Sequence, residues 1–141
     1  MSSTRQWIVV ALLTSVLLGC SHQKTLKPDD FNSQLTAAVS LCMEARLFVK
    51  YLREGKSSRS FASGHAHYLQ QLALDDLREA NKMVVPNQFQ SQFHVYRDQL
   101  EALSRQLTIL QNSQPRPDVL SEMDQSLQNI QGALHQLRSG R

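Results

Sequence analysis

Apolar residues recur with helical spacing along most of the chain. Between residues 28 and 137 they repeat at alternating intervals of three and four, which places their side chains along one face of an α-helix. Four such stretches follow one another, separated by glycine, serine or proline. No stretch shows the strict alternation of apolar and polar residues that is typical of a β-strand. The pattern therefore predicts an all-α protein with four amphipathic helices.

The first two helices have recognisable ends. Helix 1 is predicted over residues 28–54, because proline suits the first turn of a helix and Gly55 suits the position just after the last turn. Its apolar face consists of Phe31, Leu35, Ala38, Cys42, Ala45, Val49 and Leu52. Helix 2 is predicted to start after two serine caps at positions 57 and 58 and to end before Pro86. Its apolar face consists of Ala62, Ala66, Leu69, Ala73, Leu77, Ala80 and Val84, and these alanines are expected to pack closely against helix 1.

The third and fourth helices carry the most regular patterns. Helix 3 is predicted to follow Asn87 as its N-cap. Its apolar face consists of Phe89, Phe93, Tyr96, Leu100, Leu103, Leu107 and Leu110. Helix 4 is predicted to follow the two prolines at 115 and 117 and to end before Gly140. Its apolar face consists of Leu120, Met123, Leu127, Ile130, Leu134 and Leu137.

These four helices are similar in length and are joined by short connections. Short connections make neighbouring helices run in opposite directions, so we expect an antiparallel up-down-up-down four-helix bundle over residues 28–141. The alternative is an open array of two helical hairpins, because each helix has one dominant apolar face.

The first nineteen residues differ from the rest of the chain. Arg5 precedes an uncharged apolar run over residues 7–18. A helix of that length would extend about 18 Å, well short of the ~30 Å hydrocarbon core of a bilayer. This favours a cleaved signal peptide over a membrane-spanning helix.

The residues that follow the apolar run are Leu17-Leu18-Gly19-Cys20, and they resemble the lipobox of bacterial lipoproteins. The resemblance implies cleavage after Gly19, diacylglycerol on the Cys20 thiol and acylation of the new amino group. Ser21 stands where aspartate is associated with inner-membrane retention, so the resemblance implies the outer membrane, with the protein facing the periplasm.

The resemblance divides the chain but covers only its targeting segment. Residues 1–19 are expected to be a signal peptide, residues 20–27 the lipidated cysteine and a flexible tether, and residues 28–141 the helical domain. Without Arg5 the mature chain keeps 14 of the 15 Lys and Arg residues against 12 Asp and Glu. This small and interspersed excess does not favour nucleic-acid binding.

No grouping of residues predicts catalysis or a cofactor. A nucleophile needs a base within hydrogen-bond reach, and no such pair is evident, so we expect a protein that is not an enzyme and holds no cofactor. His65 and His67 are the candidates for a metal site, but residues two apart on a helix point about 200° apart. We expect solvated histidines and no metal site. Cys42 is expected to be a core residue, and Asp76 to lie on a solvated edge.

Basic residues crowd the end of helix 1 and the turn after it. Arg53, Lys56, Arg59 and Arg116, which we call the basic pole, are predicted to lie at the end of the bundle farthest from the lipid. Cations stabilise the C-terminus of a helix, which accounts for Arg53 but not for the other three. We therefore hypothesise that this pole binds an anionic cell-wall polymer or the acidic face of an envelope protein.

The sequence leaves more than one class of function open. The favoured one is a membrane-anchored envelope lipoprotein with a non-enzymatic interaction or scaffold role. The alternative is a periplasmic helical-bundle sensor that binds a ligand or metal through His65, His67 or Cys42. A helical assembly subunit is a third option.

Overall fold

A computed structural model describes residues 24–113 and 115–140, and these residues form a four-helix bundle. The helices are α1 (Pro28–Arg53), α2 (Arg59–Lys82), α3 (Gln90–Asn112) and α4 (Pro117–Ser139). Within the described ranges there is no β-strand, only an isolated bridge between Thr25 and Val84. The prediction of an all-α protein with four helices is confirmed. The signal peptide and Cys20 lie outside the described residues.

Most helix ends lie where local chemistry predicts them. Pro28 and Pro117 occupy the first turns of α1 and α4, where a missing N–H costs no hydrogen bond. Ser58 caps α2, with its hydroxyl accepting a hydrogen bond from the Phe61 N–H. Gly55 follows α1 with a φ of 68°, a left-handed conformation that favours glycine.

The start of α3 differs from the prediction. Asn87 does not cap the α-helix but opens a 3₁₀ turn, Asn87–Phe89, and α3 begins at Gln90. The Asn87 carboxamide oxygen accepts a hydrogen bond from the Gln90 side chain at 3.1 Å instead of from a backbone N–H. The Phe89 N–H donates to the Pro86 carbonyl, which closes the tighter turn.

The apolar faces form one core. In α3 every predicted position except the half-buried Phe89 is buried, and in α4 every one except the half-buried Leu137. Phe31 of α1 lies at the centre of an aromatic cluster with Phe89, Phe93 and Tyr96, at ring-centroid distances of 5.7–6.1 Å. The contacts with Phe89 and Tyr96 are edge-to-face, an arrangement that stabilises a core beyond the area that it buries.

The helices do not pair as predicted from the alanines of helix 2, which were expected to pack closely against helix 1. α1 packs most extensively against α4, and α2 packs most extensively against α3. These contacts join the α1–α2 pair to the α3–α4 pair, so the four helices form one bundle. Cys42 contacts α4, where its thiol donates to the Leu127 carbonyl at 3.1 Å. Between α1 and α2 lie the rings of Phe48, Phe61 and His65, which are too bulky for close packing of the two backbones.

The segment before α1 also packs on the bundle. Leu26 is only 2% exposed and belongs to the core. Its N–H donates to the Val84 carbonyl at 2.9 Å, and the Val84 N–H donates to the Lys24 carbonyl at 3.1 Å. Residues 24–26 are therefore docked, whereas the sequence predicted a flexible tether there.

Val84 pairs with that segment because α2 ends two residues earlier, at Lys82. Pro86 disfavours helical backbone at the residue before it, so the chain becomes extended. Val84 is therefore not on the buried face of α2 and is 43% exposed.

Candidate functional site

The four residues of the basic pole lie around one end of the bundle. Arg53 ends α1, Arg59 begins α2, Lys56 lies in the turn between them, and Arg116 immediately precedes α4. All four side chains are exposed. The α1–α2 turn and the α3–α4 loop line a common pocket that includes Arg59 and Pro115, the residue before Arg116.

Two of these cations are already paired. Lys56 binds Glu54 at 2.7 Å, and Arg116 binds Asp118 at 2.8 Å. The hydrogen bond with Lys56 lowers the pKa of Glu54, and the same bond raises the pKa of Lys56. Among the described residues Arg53 and Arg59 have no ion pair, so these two carry the uncompensated charge of the pole.

A groove of about 570 Å³ runs between α1 and α4 beside Arg53. Its lining residues are Met43, Arg46, Leu47, Lys50, Arg53, Glu54, Asp124 and Gln131. Arg46 spans the two helices, with Nε donating to the Asp124 carboxylate and Nη1 to the Gln131 amide oxygen, both at 2.9 Å. Lys50, like Arg53, forms no ion pair among the described residues, although its charge contributes to lowering the pKa of Glu54.

Apolar side chains are exposed in this groove and beside it. Of the seven large hydrophobic residues that are exposed within the described ranges, five lie on α1 and α2. These five, which we call the outer face, are Met43, Leu47, Tyr51, Phe61 and Tyr68. Leu47 is 67% exposed and Tyr68 is 54% exposed. The Phe61 ring lies 6.2 Å from that of Tyr51, which joins the two helices across this face.

His65 is part of the aromatic layer beneath the outer face. It stacks on Phe61 at 5.6 Å with an interplanar angle of 6° and meets Phe48 edge-on at 4.7 Å. Its Nε2 lies 3.6 Å from a Glu44 carboxylate oxygen. The expectation of a solvated His65 is therefore wrong, because its side chain is packed among aromatic rings and is only 26% exposed.

His67 points to a different part of the bundle. It is exposed, and its Nδ1 lies 3.1 Å from the Gln111 amide nitrogen of α3. His65 contacts α1 instead, so the two candidate metal ligands do not converge. Within the described residues no group of three His, Cys, Asp or Glu side chains lies close enough to hold a metal ion.

Cys42 and Asp76 are the titratable groups most affected by burial. Cys42 has no exposed surface, and burial raises the pKa of its thiol to about 11, an effect that nearby Arg46 partly offsets. Its prediction as a core residue is confirmed. Asp76 is half-buried rather than solvated, and burial, with a smaller effect of Asp75, raises its pKa. Burial also raises the pKa of Tyr96, with a smaller effect of Asp76.

The outer face was not singled out from the sequence. Met43, Leu47 and Tyr51 lie off the buried stripe of α1, at intervals of four residues. Apolar residues that repeat on the polar side of an amphipathic helix are the signal that would have indicated this surface.

Comparison with known proteins finds no family model, no curated protein and no solved structure that matches this chain. None of the described helices has both the length and the apolarity needed to cross a bilayer.

Proposed function

We propose that this chain is a lipid-anchored protein of the bacterial envelope that binds a partner through its outer face and catalyses no reaction. The resemblance of residues 17–20 to a lipobox supports the anchor on Cys20 and an outer-membrane location facing the periplasm. The observation that carries the binding role is that five of the seven exposed large apolar side chains within the described ranges lie on α1 and α2, where the Tyr51 and Phe61 rings are 6.2 Å apart.

Single exposed apolar residues are common on the surfaces of proteins, whereas a group of them on one surface is uncommon. Leu47 is 67% exposed, so the fold leaves most of its apolar side chain in water. Burying the Leu47 and Tyr68 side chains against a partner would remove apolar area from water. The neighbouring unpaired cations Lys50 and Arg53 would add selectivity for an anionic surface.

An up-down-up-down order of the helices is part of this proposal. Contacts between α1 and α2 support it, because Gln34 meets Met83 while Glu44, further along α1, meets His65, earlier in α2. In this order Met43 lies about 22 Å along α1 from Pro28, at 1.5 Å per residue. The outer face and the basic pole are then directed away from the lipidated end.

In-cell photo-crosslinking tests the binding role. A photoreactive amino acid replaces Leu47 of the full chain in one strain and Ile109 in a matched control, because Ile109 is 44% exposed on α3 outside the outer face. We expect a defined adduct from position 47 and none from position 109. Equal adducts at both positions, or no adduct at position 47, would contradict the proposal.

The anchor is tested separately. In Cys20→Ser the acyl acceptor is removed, and we expect loss of labelling by a radioactive or clickable fatty acid together with loss from the membrane fraction. A wild-type protein that takes up no acyl label would refute the anchor while leaving the crosslinking result intact.

A further inference from the structure

We propose that the groove between α1 and α4 binds an acidic amphipathic helix of a partner protein. This inference rests on the proposed binding role and specifies one part of the surface and one kind of occupant.

The spacing of residues along the groove fits a helix. Met43, Leu47, Lys50 and Glu54 lie at intervals of four, three and four, and all four are exposed. The buried stripe of α1 has the same kind of spacing, so α1 carries a second row of helical positions on its solvent side. Alternating intervals of three and four are the positions through which one helix receives another.

The apolar part of the groove comes first along α1. Met43 and Leu47 are one turn apart and are 48% and 67% exposed. Their side chains would accept two apolar residues of a partner helix, spaced by three or four. An anionic polysaccharide has no comparable apolar groups to place there, so these two residues favour a protein partner over a cell-wall polymer.

The charged part follows along the same helix. Lys50 and Arg53 lie about 4.5 Å and 9 Å beyond Leu47 along the axis. Neither forms an ion pair among the described residues, although the charge of Lys50 also contributes to lowering the pKa of Glu54. The two carboxylates of the groove are already engaged, Asp124 by Arg46 and Glu54 by Lys56. The groove therefore offers the carboxylates of an incoming helix two cations that form no ion pair among the described residues.

Arg46 shapes the groove instead of contributing free charge. Its guanidinium is held by Asp124 and Gln131 of α4, both at 2.9 Å. A side chain fixed to both helices keeps the wall of the groove in place before a partner arrives, which lowers the entropic cost of binding.

This geometry specifies the partner segment. We expect a helix with two apolar residues three or four positions apart, followed along the groove by at least two Asp or Glu within one to two turns. The matching charge pattern would set the direction in which the helix lies.

The test uses a photoreactive amino acid in place of Met43 in the full chain, in intact cells, with mass spectrometry of the crosslinked peptide. We expect a peptide from another protein with the stated pattern. In Lys50→Glu/Arg53→Glu the yield of this adduct should fall about tenfold or more, because attraction is replaced by repulsion. In the control Lys27→Glu/Arg138→Glu, which reverses two exposed cations outside the groove, the yield should be unchanged.

Thermal unfolding of each charge variant distinguishes lost binding from lost folding, since all four substituted side chains are exposed. Adducts to polysaccharide, to lipid, to a second copy of this chain or to a segment without carboxylates would overturn the inference. So would a yield that the groove reversal leaves unchanged.

A second crosslinking position separates this inference from the proposal on which it rests. A photoreactive residue in place of Tyr68 reports on the α2 side of the outer face. If Leu47 and Tyr68 capture a protein and Met43 captures none, the binding role stands and the groove inference falls. If none of these positions captures a protein, both are wrong.

Discussion

Arg46 and Asp124 join α1 to α4 through a hydrogen-bonded ion pair, with Nε of Arg46 lying 2.9 Å from Oδ1 of Asp124. Each side chain is 31% exposed, so the pair is neither buried nor fully solvated. The pair lines the groove at the contact between α1 and α4. Its strength therefore bears both on the stability of the bundle and on the shape of the groove.

A double-mutant cycle with Arg46→Ala and Asp124→Ala measures that strength. We expect a coupling of about 0.5–1 kcal/mol in urea unfolding, because partial solvent screening limits an ion pair of this exposure. The coupling should decrease at high salt. The exposed pair of Arg78 and Asp75, 62% exposed on both sides, is the matched control and should couple more weakly. A larger coupling in the control would contradict this account.

Cys42 should be unreactive in the folded protein. Its thiol is fully buried and donates to the Leu127 carbonyl, and burial raises its pKa to about 11. Because the thiolate is the reactive species, alkylation at pH 8 should be slow in buffer and fast in urea. Rates that are equal in the two conditions would show that this part of the core opens readily. Cys20 must be replaced by serine in this experiment, so that Cys42 is the only thiol measured.

Asp76→Asn should stabilise the domain at neutral pH. Burial raises the pKa of Asp76 in the folded state above its ordinary value of 3.8, so ionisation opposes folding. The favourable contribution of the protonated carboxyl is present below the ordinary pKa and is lost as the pH rises through the folded-state pKa. The variant should therefore have the higher Tm at pH 7, and the difference should vanish toward pH 3.

Asp75→Asn is the control for this pH dependence. Asp75 is exposed and binds Arg78 at 2.6 Å, so its replacement removes a favourable contact. We expect a smaller change in Tm at pH 7, or one of the opposite sign. Equal stabilisation by both variants would mean that general charge repulsion, and not burial of Asp76, is responsible.

The sequence predicted which residues are buried better than which helices touch. Residues such as Leu100 and Leu127 recur at helical spacing, and spacing alone determines which face of a helix is apolar. Spacing does not determine which neighbour covers that face. The alanines of α2 were expected to pack closely against α1, but Cys42 on the apolar face of α1 donates to Leu127 of α4, and the rings of Phe48 and His65 meet between α1 and α2.

The candidate site was only partly predictable for a related reason. The basic residues are evident as a cluster in the sequence, but the loss of free charge at Lys56 and Arg116 depends on ion pairs with Glu54 and Asp118. Leu47 belongs to no buried stripe, so its exposure indicates a binding surface only together with the exposed apolar residues of α2.

Docking of the segment before α1 gives the last prediction. Leu26 is 2% exposed and is fixed by backbone hydrogen bonds with Val84. Leu26→Ala removes most of a buried side chain and should cost about 2–3 kcal/mol in urea unfolding. A flexible tether would instead tolerate the change with almost no loss of stability.

Lys24→Ala is the matched control, because the Lys24–Asp30 ion pair spans 3.4 Å and the lysine side chain is 63% exposed. Its replacement should cost less than about 0.5 kcal/mol. Hydrogen exchange adds a local readout, since the amides of Leu26 and Val84 donate to each other's segments. Both amides should be protected in the wild type and in Lys24→Ala, and both should exchange faster in Leu26→Ala. Rapid exchange in the wild type would mean that residues 24–26 are not docked. The bundle would then begin at Pro28, as the apolar pattern alone predicts.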